Sequence, residues 1–550
     1  MDTKWWHNAV VYQIYPRSFN DSNNDGIGDI IGITQKLDYL SELGINVIWL
    51  SPVYESPMDD NGYDISHYQK IAQEYGTMQD MEQLFKEAQK REIRVVMDLV
   101  VNHTSDQHEW FLNSKQSKDN PYRDYYIWRD PKPDGSEPDD TQSLFGGSAW
   151  QWDESSQQYY FHLFSKRQPD LNWENETVRQ EIYNMINWWI DRGIGGFRLD
   201  VIDLIGKEID RGILGNGPNL HPFLKEMNQK TFGSKDLLTV GETWGATPEI
   251  AKLYSHPDRH ELSMIFQFEH ITLSWQDGDK WNPIPFNTKK FKEIITKWQV
   301  ELSDQGWNSL FLNNHDLPRA VSNFGNDKKY RVESAKMLAT CLHFLKGTPY
   351  IYQGEEIGMT NVVFDNIDQY RDIETLNYYK LKTQSGVSHQ CMMEAIYKNS
   401  RDNARTPIQW DDSIYAGFSQ GTPWIKVNPN YKFINVKSAI DEKDSIFYHY
   451  QKLISLRKQL STIVYGSFTS VDVEDDRVFA YIRDDENSTI LVINNLSADK
   501  VKISLPEAYS GKSGICLIFN YHECNLIDTQ LDLNPYESFA LQFQKEINTI

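Results

Sequence analysis

Acidic, basic and imidazole side chains end several of the short apolar runs in this chain of 550 residues. Arg198 and Asp200 close the run GFRLD, Glu242 closes LLTVGE, and His315 and Asp316 close SLFLNNHD. Carboxyl groups that meet in one pocket shift each other's pKa values, so that one holds a proton while another stays ionised. A protonated acid beside an ionised carboxylate is the pair that glycosidic bond cleavage requires.

Local spacing assigns different tasks to these carboxyls. Arg198 and Asp200 stand two residues apart on one strand, so their side chains share a face. We expect the guanidinium to keep Asp200 ionised, as a nucleophile requires. Glu242 lies between the apolar run LLTV and Trp244, a setting in which a carboxyl tends to keep its proton and can act as a general acid.

Polar groups end further runs. His315 and Asp316 can hydrogen-bond sugar hydroxyls and stabilise positive charge at an anomeric carbon. His103 follows the third run, and Glu355 and Glu356 close the eighth. Any one of these groups taken singly is explained as a solvated strand end. Acids at several neighbouring strand ends instead favour one reactive pocket.

The elements that must position these groups repeat along the chain. Eight apolar runs alternate with amphipathic helical segments, and the runs are apolar enough to be covered on both faces, as parallel strands are. This alternation predicts an α/β fold, a (β/α)8 TIM barrel, whose reactive groups gather at the C-terminal ends of the strands. The runs span 9–16, 46–50, 94–101, 196–200, 237–242, 264–268, 309–316 and 349–356.

Two stretches interrupt the alternation, and a different pattern follows the barrel. Residues 103–172 are too long for a loop and predict a small inserted domain B after strand 3. The stretch of roughly 360–430 predicts irregular structure over the barrel mouth. Short alternating strands over 466–550 predict a C-terminal β-sandwich domain. The catalytic barrel is then expected over 1–102 and 173–465.

Charge and composition exclude several classes of protein. The chain has 55 Lys and Arg against 78 Asp and Glu, a net charge of −23, which argues against nucleic acid or membrane as a partner. Apolar residues make up 39% and aromatic residues 13%, which excludes wholesale disorder. We expect a monomer that binds a small oligosaccharide and needs no organic cofactor.

Targeting and cysteine patterns favour a cytoplasmic protein. No signal core is evident at the start, and no run reaches the roughly eighteen apolar residues of a membrane span. The 4 cysteines are scattered without CxxC spacing, so neither a disulfide scaffold nor a zinc site is indicated. Cys516 and Cys524 could pair, but we expect them to stay reduced.

Four segments in fixed order carry a family resemblance. DLVVNH (98–103), GFRLD (196–200), GET (241–243) and NNHD (313–316) resemble the signature segments of glycoside hydrolase family 13, the α-amylase family. QPDLN (168–172), at the exit from the predicted insertion, resembles a fifth segment. The order and spacing make this resemblance far more specific than any single short motif.

The resemblance implies a retaining mechanism through a covalent glucosyl-enzyme intermediate. By it, Asp200 is the nucleophile, Glu242 the acid/base and Asp316 the stabiliser of the transition state. The α-stereochemistry and the glucosyl substrate also come from the resemblance.

Two more segments resemble those of oligo-1,6-glucosidases and dextran glucosidases. DNGYD contains Asp60 and Tyr63, and RDNARTPIQW begins at Arg401. The resemblance implies that Asp60 and Arg401 grip the non-reducing-end glucose and close the pocket behind it, so that single terminal units are released. The alternatives are an ion pair of Arg401 with Asp402 or a neighbouring acid, and a polar turn at Asp60.

Specificity rests on residues near the nucleophile and on the acceptor side. In the resembling group, Val at position 201 accompanies α-1,6 specificity, although Val201 could equally be a barrel residue that only packs. Trp244, Lys280 and Glu374 match acceptor-side positions, with Trp244 as a stacking face. The alternative for Lys280 and Glu374 is a pair of solvated loop residues. The expected substrate-binding residues also include Tyr63, His103, Arg198 and His315.

An oxygen-rich loop predicts a separate metal site. Asp21, Asn23, Asp25 and Asp29 follow calcium-loop spacing, and the Ile27 carbonyl is available as a further ligand. Hard oxygen ligands and the resemblance both favour a structural Ca²⁺. The loop lacks the Glu of an EF-hand, and an Asx-rich turn without metal is the alternative.

The expected function is exo-acting hydrolysis of terminal α-1,6-linked glucose from isomaltose, isomaltooligosaccharides, panose or dextran ends. The nearest alternative is a trehalose-6-phosphate hydrolase, which would want a cluster of Lys and Arg around the acceptor; Lys280 alone fits that description. Sucrose isomerase and α-1,4-glucosidase are further alternatives that Val201 disfavours. A non-catalytic relative would lack the acids at Asp200, Glu242 and Asp316.

Overall fold

The computed structural model describes residues 3–505, 511–521, 526–527 and 529–545, and a barrel of parallel strands lies at its centre. The barrel strands are β1 (Val11–Ile14), β2 (Val47–Leu50), β3 (Arg94–Leu99), β4 (Gly196–Leu199), β5 (Leu238–Glu242), β6 (Met264–Phe266), β7 (Ser309–Leu310) and β8 (Thr348–Tyr352). Neighbours in sequence pair in register from β1 to β6, and β8 pairs with both β1 and β7. A parallel bridge between Ile265 and Asn308 closes the ring, which confirms the predicted (β/α)8 barrel.

Helices cover the strands, and several of them bury one apolar stripe. In Glu176–Ile190, for example, Val178, Ile182 and Trp189 are buried at helical spacing. The helices between or after the barrel strands are Ile30–Gln35, Leu37–Leu43, Met78–Gln89, Glu176–Ile190, Leu220–Lys230, Pro248–Ser255, Thr288–Glu301, Ala320–Phe324, Arg331–His343 and Ile446–Gln459.

A glycine sets the register of the strand that carries the reactive groups. Gly196 begins β4 at φ +151°, and a Cβ there would lie 1.9 Å from the carbonyl oxygen of Leu238 on β5. Only glycine allows this close approach. The resulting register places Arg198 opposite Asp98 of β3 and Val240 of β5.

The segment predicted as an insertion leaves the barrel after β3 and returns beside the point where it left. A bridge joins His103 to Asp170 at its two ends. Between them lie a short helix and a three-stranded antiparallel sheet with an apolar core that includes Trp150 and Phe161. These elements are Glu109–Ser114, Trp128–Arg129, Trp150–Asp153 and Gln158–Phe161.

The stretch after β8 is more regular than its sequence predicts. We expected irregular structure over 360–430, but helices Ile373–Gln384 and His389–Asn399 form there. Met392 and Ile396 of the second helix pack against Trp281, which supplies the apolar burial that the local pattern conceals. Further elements outside the barrel are Asp402–Arg405, Val436–Asp441 and Ser461–Tyr465, and the antiparallel pairs Tyr54–Glu55 with His67–Ile71 and Trp275–Gln276 with Asp279–Pro283.

The C-terminal part is all-β, as predicted. A five-stranded antiparallel sheet buries Val478 and Ala480 in a local core on one face, while Phe479 and Tyr481 join the main core on the other face. The sheet contains Ser467–Val471, Val478–Asp484, Ser488–Asn495, Ser538–Gln544 and Ile515–Phe519 in that order. Two-stranded pairs add Val501–Ser504 with Gln530–Leu533 and Lys512–Ser513 with Leu526–Ile527.

Two findings concern the whole of the described chain. Among its described residues, no helix is both long enough and apolar enough to pass through a membrane. Cys524 lies outside the described residues, so the expectation for Cys516 and Cys524 stays a prediction.

Candidate active site

A cavity of about 410 Å³ opens at the C-terminal ends of the barrel strands. Arg198 and His315 do not line it, but both are buried and contact residues that do. The predicted site residues that line the cavity are Asp60, Tyr63, His103, Asp200, Val201, Glu242, Trp244, Lys280, Asp316, Glu374 and Arg401.

One guanidinium joins the carboxyls at the floor of the cavity. Arg198 Nη1 lies 2.8 Å from Asp98 Oδ1 and 2.7 Å from Asp200 Oδ1, and its Nη2 contacts Glu242 Oε2. The three carboxyls reach the same group because β3, β4 and β5 are neighbours in register. Arg198 is 1% exposed and its guanidinium lies 5.1 Å from the centre of the Trp49 ring.

Three carboxyls and one guanidinium leave an excess of negative charge in a buried place. Burial raises the pKa of Asp200 well above its usual range, and the charges of Glu242 and Asp98 raise it further against the opposing effect of Arg198. We expected Arg198 to keep Asp200 ionised. It does not do so by itself, because its positive charge is shared among three carboxyls. Acid-assisted cleavage by such a cluster requires one carboxyl to be ionised while another holds a proton.

Two N–H groups orient the Glu242 carboxyl. The Trp244 indole Nε1 donates to Oε1 at 3.0 Å, and the Val201 backbone N–H donates to Oε2 at 3.1 Å. Val201 adopts left-handed dihedral angles, φ 34° and ψ 45°, which a β-branched residue rarely does. The turn after Asp200 therefore stores backbone strain that directs one N–H at Glu242.

Asp316 is held as an anion by three cationic or imidazole groups. Its Oδ1 lies 2.7 Å from Arg405 Nη2 and 3.3 Å from Arg401 Nη1, and its Oδ2 lies 3.0 Å from His315 Nε2. Burial would raise the pKa of Asp316, but these partners outweigh burial and hold the pKa well below its usual range. Asp316 can therefore face a developing positive charge as a carboxylate.

The far end of the cavity is closed by an ion-pair network. Arg401 Nη2 lies 2.9 Å from Asp60 Oδ1 and 2.7 Å from Asp372 Oδ1. Gln168 Nε2 donates to Asp60 Oδ2 at 3.2 Å, and the Arg401 guanidinium lies 4.8 Å from the centre of the Phe145 ring. The cavity is thus a pocket with a polar end wall rather than an open groove.

The structure separates the alternatives given for this end wall. Arg401 does form an ion pair with a neighbouring acid, Asp372, whereas Asp402 accepts backbone N–H bonds from Arg371 and Asp372. Asp60 does lie in a turn, as the alternative had it, but its side chain is only 4% exposed and lines the cavity.

Aromatic rings form part of the cavity wall beside Glu374 and Lys280. The Trp244 ring stacks on Phe268 with 3.9 Å between the ring centres. The centre of the Trp275 ring lies 6.1 Å from that of Trp244. Lys280 Nζ pairs with Glu374 Oε2 at 2.6 Å, and these side chains are 14% and 12% exposed. They are therefore not solvated loop residues.

Tyr63 and two histidines complete the wall beneath the end of the pocket. The Tyr63 ring stacks on His315 at 5.0 Å, and its hydroxyl donates to Asp98 Oδ2 at 2.9 Å. The His103 Nε2 lies 3.0 Å from the Tyr63 carbonyl oxygen. Burial lowers the pKa of His103 to about 4, so its ring is neutral at pH 7 and serves as a hydrogen-bonding group.

Comparison with known proteins places this site in a family. The protein-family model described as "Alpha amylase, catalytic domain" matches residues 13–466, and "Alpha-amylase SusG C-terminal domain" matches residues 478–539. The chain belongs to the α-amylase family. The expected family resemblance is thereby confirmed.

Relatives within the family are similar over nearly the whole chain. A glucan 1,6-alpha-glucosidase of Streptococcus pneumoniae serotype 4 is 59% identical, over 98% of this chain and 100% of the relative. An oligo-1,6-glucosidase of Bacillus cereus is 55% identical, over 99% and 100%. Among solved structures, a variant of Bacillus licheniformis trehalose-6-phosphate hydrolase in complex with PNG matches with a TM-score of 0.95, at 47% identity over 99% and 100%.

The loop predicted to bind metal is tightly folded on its own oxygen atoms. Asp21 accepts backbone N–H bonds from Asn23, Asn24 and Gly26, and Asp29 accepts one from Ser22. Among the described residues, no group of three or more His, Cys, Asp or Glu is placed to hold a metal ion. A metal here would also need the Asn23 amide and the Ile27 carbonyl; these are hard oxygen donors that suit Ca²⁺.

The acids at the end of β8 stay outside the cavity. Glu355 accepts a hydrogen bond from Tyr450 at 2.7 Å, and Glu356 accepts bonds from Tyr12 at 2.7 Å and Tyr39 at 2.6 Å. Both carboxyls are buried, and neither lines the cavity.

Sequence reasoning missed several residues of the site, three of which support the cavity from behind its lining and one of which, Asp203, lines it. Gln168 lies in the segment QPDLN and Arg405 in RDNARTPIQW. The sequence analysis identified both segments but not the contacts of Gln168 with Asp60 and of Arg405 with Asp316. Asp372 gives only a helix N-cap signal, since it caps Ile373–Gln384. Asp203, three residues after the expected nucleophile, also lines the cavity.

Replacement of Asp372 by Asn tests the end-wall network. Burial would raise the pKa of Asp372, but Arg401 and Arg405 outweigh it and hold the pKa below its usual range. The contribution of the Asp372 carboxylate to the free energy of unfolding is therefore complete above its unfolded pKa of about 4. It is lost as the pH falls towards the lower pKa of the folded state. We expect Asp372→Asn to lower the free energy of unfolding at pH 7 by about 3–5 kcal/mol, with a smaller difference below about pH 4.

Urea or thermal unfolding of both proteins across pH measures this difference. Asp368→Asn, at an exposed residue of the same segment, is the matched control and should leave stability unchanged. An equal loss in both variants, or a loss that does not depend on pH, would contradict the network.

Proposed function

We propose that this chain is an exo-acting retaining α-glucosidase that hydrolyses terminal α-1,6-linked glucose from isomaltose, isomaltooligosaccharides, panose or dextran ends. The observation that carries the proposal is the pocket itself, in which the Asp60–Arg401 pair closes one end behind the carboxyls around Arg198. Relatives at 59% and 55% identity that are named for 1,6-glucosidase activity support the linkage.

In the proposed mechanism, Asp200 and Glu242 act on opposite sides of one bond. An oxygen of Asp200 forms a bond to the anomeric carbon as the glycosidic C–O bond breaks, and the leaving oxygen takes the electron pair of that bond and the proton of Glu242. Water then bonds to the anomeric carbon as its bond to the Asp200 oxygen breaks and leaves the electron pair on Asp200, and Glu242 takes the proton of the water as a base. Both carboxyls contact one guanidinium, which favours the closer spacing of retaining enzymes, about 5–5.5 Å.

The remaining residues hold and select the sugar. Asp60 and Arg401 present charged hydrogen-bonding groups to the hydroxyls of the terminal glucose, and their ion pair forms the end wall behind that unit. Trp244 offers its ring to the acceptor sugar, and the Lys280–Glu374 pair can hydrogen-bond its hydroxyls. Asp316 stabilises the charge of the oxocarbenium-like transition state.

A trehalose-6-phosphate hydrolase is the second candidate, because a solved structure of that name matches at 47% identity. A phosphate would need a cation without an acidic partner. The basic residues that line the described cavity are Lys280 and Arg401, and both are paired with carboxylates. An acceptor sugar without a phosphate therefore fits the cavity better than a phosphorylated one, because the positive charges of Lys280 and Arg401 are already paired.

A substrate panel tests the proposal. We expect kcat/KM to be highest for isomaltose and isomaltotriose, and lower for maltose, sucrose and trehalose 6-phosphate. Asp200→Asn should reduce turnover of isomaltose by several orders of magnitude, about 10⁴-fold, because it removes the nucleophile. Asp134→Asn, at an exposed turn, is the charge-matched control. Dominant hydrolysis of trehalose 6-phosphate would replace the proposal by its second candidate.

Val201 is proposed to favour the α-1,6 linkage. Its side chain lines the cavity directly after Asp200, at the boundary between the reacting glucose and the acceptor. Val201→Thr should raise the ratio of maltose to isomaltose turnover, measured as kcat/KM, by about tenfold, or roughly 1.4 kcal/mol of discrimination. Val300→Thr, at an exposed helical position, should leave the ratio unchanged, and an unchanged ratio in Val201→Thr would exclude this residue from specificity.

We also propose that the loop from Asp21 to Asp29 binds a structural calcium ion. Support comes from its oxygen donors and from its contact with the segment after β8, where Ser419 Oγ donates to Asp21 Oδ2 at 2.5 Å. An ion at this junction would join two distant parts of the chain without entering the reaction.

Removal of calcium tests that site. Chelation should lower the midpoint of thermal unfolding, and added calcium should restore it by mass action. Asp25→Ala should abolish the calcium response, whereas Asp258→Ala, at an exposed position outside the loop, should retain it. The same midpoint with chelator and with calcium would show that the loop is an Asx-rich turn without a metal.

The cytoplasmic location and the monomeric state stay predictions from the sequence.

A further inference from the structure

The side-chain amide of a glutamine on the first barrel strand contacts the ring of His315. Gln13 and His315 are each 1% exposed, and Gln13 Nε2 lies 2.8 Å from His315 Nδ1. The nitrogen of a glutamine amide donates hydrogen bonds and does not accept them. His315 Nδ1 must therefore accept this bond with its lone pair and carry no hydrogen. Gln13 has no task in the proposed mechanism.

The other nitrogen of the His315 ring faces a carboxylate. His315 Nε2 lies 3.0 Å from Asp316 Oδ2, and an ionised carboxylate only accepts hydrogen bonds. Nε2 must therefore carry a hydrogen, because a lone pair there would be repelled by the carboxylate. The contacts at the two nitrogens thus require the same form of the ring, which is the neutral tautomer with its hydrogen on Nε2.

Asp316 alone does not select this neutral form. Nε2 and Oδ2 are close but are not aligned as a hydrogen bond, and Nε2 forms no hydrogen bond with any described residue. A doubly protonated imidazolium would suit the Asp316 carboxylate at least as well as the neutral ring. It would, however, place a hydrogen on Nδ1 against the N–H of Gln13. Gln13 is therefore the group that distinguishes the neutral ring from the imidazolium.

A neutral ring suits the charges that already surround Asp316. Arg405 Nη2 and Arg401 Nη1 lie 2.7 Å and 3.3 Å from Asp316 Oδ1. An imidazolium at His315 would add a third positive charge beside this carboxylate. Less negative charge would then remain to face the positive charge that develops on the sugar.

The aromatic neighbours of the ring hold its plane but not its hydrogen. Tyr63 and Tyr15 stack on it at 5.0 Å and 6.0 Å between ring centres, and Trp49 meets it edge-on at 6.2 Å. The Tyr63 hydroxyl and the Trp49 indole N–H both donate to Asp98 Oδ2, so they are engaged elsewhere. Gln13 is thus the described side chain that hydrogen-bonds Nδ1.

We propose that Gln13 is a positioning residue whose amide donates to His315 Nδ1 and so keeps the ring neutral, with its hydrogen on Nε2 beside Asp316. Asp316 then keeps the negative charge that faces the oxocarbenium-like transition state. The inference rests on the proposed function, because that function gives Asp316 this task. No proton leaves His315 during the reaction.

Nitrogen-15 NMR of the full-length protein labelled at histidine tests the hydrogen positions directly. The His315 signals are assigned by their loss in His315→Gln. In the wild type at pH 7, Nε2 of His315 should be protonated and Nδ1 should not. In Gln13→Glu, which keeps the length of the side chain and places a carboxylate oxygen at Nδ1, both nitrogens should be protonated. A wild-type imidazolium, or a single hydrogen on Nδ1, would overturn the inference.

Two variants test the consequence for the reaction. Gln13→Glu should lower kcat for isomaltose by about tenfold to a hundredfold and leave KM within about twofold, because the imidazolium acts on the charge of the transition state. Gln13→Met removes the donor without adding a charge, so the ring is free to take a second proton. Its loss of kcat relative to the wild type should therefore grow as the pH falls from about 8 to about 5.5.

The other charged groups around the ring are the same in both variants. They are Asp316, Asp98, Arg401, and Arg405, whose Nε donates to the His315 carbonyl oxygen at 3.1 Å. A loss that grows towards acidic pH in Gln13→Met but not in the wild type is therefore caused by the ring.

Controls separate this inference from folding and from the proposed function. Gln180→Glu adds the same charge at an exposed helical position and should leave kcat and KM unchanged. Wild-type kcat in both Gln13 variants, or a loss in Gln13→Met that is equal at every pH, would overturn the inference and make Gln13 a packing residue. The NMR signals are read without substrate, so the expected tautomer in a wild type that fails to hydrolyse isomaltose would instead overturn the proposed function.

Discussion

The contact of one buried guanidinium with three carboxyls is the interaction on which the site depends. Arg198 touches Asp98, Asp200 and Glu242, and all four side chains are at least nine-tenths buried. Removal of the guanidinium would leave three acids together in a buried place, which is far more costly than the loss of one hydrogen bond. The arginine therefore holds the two proposed reacting carboxyls on one group, and its single positive charge offsets only one of their negative charges.

The fold serves this contact through strand register. Gly196 lets β4 approach β5 so closely that no side chain fits between them, and that approach sets Arg198 beside its partners on both neighbouring strands. The strained turn at Val201 then returns the chain towards Glu242. Stability of the barrel and alignment of the carboxyls are thus consequences of the same backbone geometry.

Closure of the pocket has a different origin, since it is made by segments far apart in the chain. Asp60 and Arg401 are separated by 341 positions and meet in one ion pair. Arg401 is held in place by Asp372 from the segment after β8, while Gln168 and Phe145 of the insertion approach from the other side. Two excursions from the barrel therefore build the wall that makes the site a pocket, which is the basis for exo-action.

The local pattern of apolar residues was sufficient to predict the repeating strands of the barrel. Alternating apolar runs predicted all eight barrel strands, and residues two apart on one strand predicted the contact of Arg198 with Asp200. The helices after β8 were missed because their burial depends on Trp281, which lies far earlier in the chain, on a strand of another antiparallel pair. The same limit applies to charge: spacing could not reveal that Arg198 also serves Asp98 and Glu242, because that depends on which strands become neighbours.

Trapping of the covalent intermediate tests the central claim most directly. Incubation of the wild type with 5-fluoro-α-glucosyl fluoride, followed by proteolysis and mass spectrometry, should yield a peptide that carries one fluoroglucosyl group on Asp200. An adduct on another carboxyl would move the nucleophile elsewhere. Turnover of glucosyl fluorides without any adduct would contradict the attack by Asp200 on which the whole mechanism is built.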